Sequence, residues 1–113
     1  MHSERRLHSA RVPCIPLSNI LHTYNMTHID YFSLDVEGAE YDVLKTINFD
    51  VFDVTALSVE YSHDAVGKEQ IVRFMEGKGY EMLVDLHDKG VERDKYVKDV
   101  FFVKSDFLMK RWN

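Results

Sequence analysis

The sequence predicts an α/β fold: a mostly parallel sheet carrying helices and closing in an antiparallel strand pair. Three observations predict it. Short apolar runs alternate with segments of helical periodicity, the strongest strand is apolar on both faces, and no helix separates the last two strands. The 113 residues are 45% hydrophobic and 29% charged, which suits one modest domain and neither a disordered nor a membrane-spanning chain.

Residues 1–10 read as a frayed lead-in, 11–107 as the domain and 108–113 as a tail. Arg11 to Pro16 reads as a strand that Pro13 and Pro16 confine to a sheet edge, because neither can donate a ladder hydrogen bond. Ser18 is placed to cap a two-turn helix ending near Asn25, with Leu17, Ile20, Leu21 and Tyr24 along one side. Ile29 to Val36 is the strongest strand, almost continuously apolar, as expected where helices cover both faces of a sheet. Glu37-Gly38-Ala39-Glu40 ends it and opens a helix with a Val43, Leu44, Ile47 stripe. Val54 to Tyr61 is the next strand, followed by a helix over Lys68 to Lys78 that buries Ile71, Val72, Phe74 and Met75 and stops at Gly79. Tyr80 to Leu86 is a strand, His87 to Lys98 a loop and Val100 to Lys104 the last strand.

Charge and cysteine content exclude several functions. Fourteen Lys and Arg against 19 Asp and Glu leave a net charge of −5, and only short clusters are locally basic. A nucleic-acid or anionic-membrane footprint is therefore not expected. Cys14, the single cysteine, cannot form an internal disulfide and reads as a small buried residue. No signal peptide or apolar window of membrane-spanning length is found, so cytoplasmic residence is the default expectation.

In open α/β sheets ligands gather at the carboxyl ends of strands. Two polar stretches fall there, Asp35-Val36-Glu37-Gly38-Ala39-Glu40 and Glu60-Tyr61-Ser62-His63-Asp64. Period-2 alternation places Asp35 and Glu37 on one side with Val36 packed opposite. A neighbouring carboxylate or burial can raise an Asp or Glu pKa and make a general base. Spacing alone leaves another reading open, in which Glu37 and Glu40 serve the helix N-terminus and Asp35 caps it. Three carboxylates crowd that terminus and would repel a nucleotide phosphate. Gly38 permits a close backbone approach or a positive-φ turn. An oxygen-rich metal site from Asp35, Glu37 and His63 is conceivable, but a solvated loop histidine is preferred, so no metal is expected. His22 and His28, flanking a helix end, read as structural.

The run Ile29-Asp30-Tyr31-Phe32-Ser33-Leu34-Asp35-Val36-Glu37-Gly38-Ala39-Glu40-Tyr41-Asp42-Val43-Leu44-Lys45 closely resembles the hallmark segment of the FkbM family of S-adenosylmethionine-dependent methyltransferases. Val12 to Leu21 is similar to the strand and helix preceding that hallmark, and Ala56 to His63 to the following strand, which ends in a Glu. The resemblance implies part of a Rossmann-like class I methyltransferase fold. The first two strands and their Gly-rich turn are expected before Arg11, and no G-x-G occurs in the chain. Without them the strand Ile29 to Val36 becomes an exposed edge open to self-association. The implied activity is methyl transfer from S-adenosylmethionine to a hydroxyl of a small molecule or glycan. Asp35, Glu37, Glu60 and His63 are its catalytic candidates, and Asp35 and Gly38 its cofactor-binding ones. A truncated chain, inactive alone, is also expected from the missing half. The Phe32 to Glu40 variant further resembles Star-like animal members, which implies the alternative of a non-catalytic module. Such a module would bind cargo protein between endoplasmic reticulum and Golgi, reached through an N-terminal anchor.

Overall fold

The computed structural model describes residues 9–86 and 98–112. Eight elements follow in order: α1 (Leu17–Thr23), β1 (His28–Leu34), α2 (Glu40–Thr46), β2 (Asp53–Glu60), α3 (Lys68–Gly77), β3 (Tyr80–Asp85), β4 (Asp99–Lys104) and α4 (Ser105–Trp112). Among the described residues, no helix is long and apolar enough to cross a membrane. The lead-in over 1–8 and the loop over 87–97 lie outside the described residues.

The sheet has the order β1-β2-β4-β3. β1 and β2 are parallel, while β4 runs against both β2 and β3. The sheet is thus less parallel than expected, because β4 lies inside it and β3 takes the edge. Burial explains the placement. Val100 and Phe102 of β4 are fully buried, whereas Met82 and Leu83 of β3 are exposed. A strand whose alternate residues need complete cover belongs between two neighbours.

Buried residues of α2, α3 and all four strands form one core. Leu57, Val59, Ile71, Met75 and Phe102 are completely buried there, with Leu44 beside them. Ile71 and Met75 stand four apart on α3, the spacing that puts both on one helix face. Val72 and Phe74 pack at the margin. Gly79 follows α3 with φ +91 and donates its N–H to the Glu76 carbonyl at 3.1 Å, so the expected glycine stop forms.

The N-terminal side departs furthest from expectation. Residues 11–16 form no strand and are exposed, since Pro13 and Pro16 remove donors that an edge ladder needs. Cys14 is accordingly exposed, not buried. Pro16 occupies the N-cap of α1, and the Ser18 hydroxyl donates instead to the Thr46 carbonyl at 3.1 Å, tying α1 to α2. Of the expected stripe, Leu21 is buried while Ile20 and Tyr24 are exposed. β1 is half-exposed along its length because, among the described residues, only β2 pairs with it. His28 is structural as read: its ring nitrogens lie 3.0 Å from Asp53 Oδ2 and 2.7 Å from Asp30 Oδ1. At the other end, the segment after Lys104 is helical, with Ser105 and Asp106 opening a run of good helix formers.

Candidate functional site

Strand register assembles the site. Leu34 pairs with Val59, so Asp35, the next residue, stands beside Glu60 at the end of β2. Glu60 in turn lies directly opposite Asp99 at the start of β4. Three carboxylates thus cross the sheet in a row, although like charges facing each other across strands are destabilising. Glu40, in the first turn of α2, adds a fourth. One carboxylate oxygen from each of Asp35, Glu40 and Glu60 lies within 4.8 Å of the others. Burial pushes the Asp99 carboxyl above its ordinary pKa, and the negative charges of Glu60 and Asp35 push the same way.

The loop after β1 owes its shape to Glu40. This side chain is completely buried, and its carboxylate accepts the Val36 N–H at 2.7 Å and the Gly38 N–H at 3.0 Å. Pulling both amides toward one carboxylate folds the loop back, with Glu37 at φ +55 and Gly38 at φ +112. Gly38 is required twice over. Its φ is left-handed, and a Cβ there would sit 2.7 Å from the His63 carbonyl oxygen. The close backbone approach it permits joins the loops after β1 and β2.

The loop after β2 is anchored by its own acids. Asp64 Oδ2 accepts the Tyr41 N–H at 2.9 Å, so Asp64, not Asp35, satisfies the start of α2. Glu60 Oε1 accepts the Ser62 N–H at 2.8 Å and the Ser62 hydroxyl, while Glu60 Oε2 is buried with no hydrogen-bond partner among the described residues. The Tyr61 hydroxyl donates to Asp85 Oδ1 at 3.0 Å, and Lys68 Nζ lies 2.6 Å from Asp85 Oδ2. These bonds tie the carboxyl ends of β2 and β3 together.

The sequence-derived candidates therefore separate into two groups. Asp35 and Glu60 converge. Glu37 and His63 pair with each other at 3.4 Å, both exposed. The expected alternation fails because β1 ends at Leu34 and the turn through Glu37 breaks the period, leaving Val36 exposed instead of packed. Glu40 and Asp99 were not among the candidates. Glu40 gave a weak signal as a first-turn acid, whereas Asp99 joins the row only through a register that the sequence does not reveal. Beside Asp35 an apolar groove of about 720 Å³ opens, lined among others by Ile15, Leu17, Phe32 and Val43.

The profile of the methyltransferase FkbM domain matches residues 2–82. The chain belongs to the FkbM methyltransferase family. The match takes in Asp35, Glu37, Glu40, Glu60 and His63, so the two converging loops lie inside the FkbM domain. Methyltransferases of this family generally use S-adenosylmethionine. The match is to the FkbM domain as a whole and carries no finer Star-like assignment. No curated protein and no solved structure matches the chain.

Proposed function

We propose that this FkbM domain takes part in moving a methyl group from S-adenosylmethionine to a hydroxyl oxygen of a small molecule or glycan. One observation carries the reading: inside a methyltransferase domain, Asp35 and Glu60 stand side by side at the carboxyl ends of two parallel strands, next to an apolar groove. That end of an open α/β sheet is where ligands gather, and the groove falls within the usual size of small-molecule sites. A single antiparallel strand within the sheet, among the described residues, supports a partial Rossmann-like class I arrangement.

The residues fit the cofactor in charge and in polarity. A row of acids favours cations, as the Asp99 pKa, raised by burial and further by the charges of Glu60 and Asp35, reflects, and apolar walls adjoin it. When bound, S-adenosylmethionine supplies an electrophilic methyl on a sulfonium. With the cofactor bound, the methyl would pass from sulfur to the acceptor oxygen, and that hydroxyl would have to give up its proton to a group of this chain. Asp35 or Glu37 accepts it, and His63, 3.4 Å from Glu37, can relay it toward solvent. Carboxylates that only held the sulfonium would stabilise the ground state, because its charge fades in the transition state. Their gain lies in orienting the hydroxyl and taking the proton.

The test uses S-adenosylmethionine with an isotopically labelled methyl and a panel of alcohols and glycans. Label transfer by the native chain, lost in Asp35→Ala or Glu37→Ala with circular dichroism unchanged, is expected. Absence of transfer by the native chain, or equal transfer by both variants, would overturn the reading.

A further inference from the structure

The geometry points to a binding site for a hard divalent cation, Mg2+, Mn2+ or Ca2+, held by Asp35, Glu40 and Glu60 at the carboxyl ends of β1 and β2. The donor set is all carboxylate oxygen, with no nitrogen or sulfur, which selects these ions over zinc, copper or nickel. The three oxygens lie within 4.8 Å of one another, no further apart than two oxygens on opposite sides of Ca2+, about 4.6–5.2 Å.

A second observation is independent of the clustering. Glu60 is only 8% exposed, its Oε1 is taken by Ser62, and its Oε2 is buried without a hydrogen-bond donor among the described residues. Buried polar atoms almost always find a partner, and a bound cation would supply one for an orphaned carboxylate oxygen among other carboxylates. Among the described residues, no lysine, arginine or histidine forms an ion pair with Asp35, Glu40 or Glu60. Each Glu40 oxygen accepts one backbone N–H and keeps a further lone pair, so those amides hold the ligand in position without saturating it. Asp35 is exposed, which leaves an open side for entry and for the waters such ions retain.

The site differs from the one considered in the sequence, because Glu37 and His63 turn toward each other and Glu40 and Glu60 take their place. It does not depend on methyl transfer. Where both hold, Asp35 is engaged by the ion and proton acceptance falls to Glu37 with His63.

The test is titration of the chelator-treated 113-residue chain with MnCl2, following free Mn2+ by electron paramagnetic resonance, with CaCl2 and MgCl2 as competitors. One ion per chain is expected, displaced by Ca2+ or Mg2+ and accompanied by a rise in the unfolding midpoint. Glu60→Gln should weaken binding by roughly 10- to 100-fold or more, while Glu76→Gln, on the exposed face of α3, should leave it unchanged. Asp35→Asn, at an exposed position, repeats the test where Glu60→Gln fails to fold. No binding by the native chain, or unchanged affinity in the variants that fold, would overturn the inference.

Discussion

β1 and the β2-β4 pair are built from similar residues and meet opposite fates. Tyr31 in β1 is 53% exposed, whereas Leu57, Val59, Val100 and Phe102 in β2 and β4 are completely buried. Apolar composition records what a strand is able to bury; its place in the sheet decides what it does bury. Among the described residues, β2 and β4 each have a strand on both sides, whereas β1 has one partner and borders an apolar groove. The contrast also divides labour. The inner pair supplies stability, and the loop after β1 meets the end of β2 in a set of carboxylates that disfavours the fold electrostatically.

Substitutions sharpen this division, beginning with the largest effect. Phe102→Ala should cost about 3–5 kcal/mol, because it opens a cavity at the centre of the sheet. Ile20→Ala on α1 should cost under about 1 kcal/mol, since that side chain is already exposed. Urea unfolding measures both, and equal costs would remove the contrast. Glu40→Ala comes next, at about 2–3 kcal/mol: two N–H groups lose a charged acceptor, partly offset by relief of repulsion with Asp35 and Glu60. Gly38→Ala should cost about 1–3 kcal/mol through its left-handed φ and the contact with the His63 carbonyl. Glu37→Gly should stabilise by up to about 1 kcal/mol, because a left-handed backbone suits glycine better than glutamate. A loss on Glu37→Gly would mean that the His63 pairing outweighs the backbone strain.

The smallest effect lies at the opposite end of the sheet and depends on pH. Hydrogen bonds to Asp30 and Asp53 raise the His28 pKa above its ordinary 6.5. Hydrogen bonds from Lys104 and His28 lower that of Asp53 below 3.8. A raised histidine stabilises fully below its unfolded pKa and loses that contribution as pH rises through the folded value. A lowered aspartate stabilises above its unfolded pKa and loses its contribution as pH falls through the folded value. Both contributions are therefore complete between about pH 4 and 6.5. The gap in unfolding midpoint between the native chain and His28→Gln should be widest in that window and narrow above it. A gap constant with pH would contradict the pairing.

Much of the fold was legible. The strands over 28–34, 53–60, 80–85 and 99–104 and the helices after Gly38 and Gly67 announce themselves through apolar runs and helical spacing. What the sequence could not show was set at long range. β4 enters the sheet because Val100 and Phe102 find cover there, and Asp99 reaches Glu60 only through that entry. Proline outweighed apolar character over residues 11–16, and Ser18 donates to the Thr46 carbonyl instead of accepting from the amides of its own helix. In the site, Asp35, Glu37, Glu60 and His63 were legible as strand-end polar residues. Their division into two pairs was not, because it follows from one buried carboxylate, Glu40, pulling two amides inward.

We propose the carboxyl end of β1 and β2 as a functional site of this FkbM methyltransferase domain. Thermal unfolding with and without excess S-adenosylmethionine tests it most directly, since a ligand that binds only the folded state must raise the midpoint. The account predicts a cooperative transition that shifts upward for the native chain and shifts less for Asp35→Asn. An unshifted midpoint, or the same shift in both proteins, would contradict it.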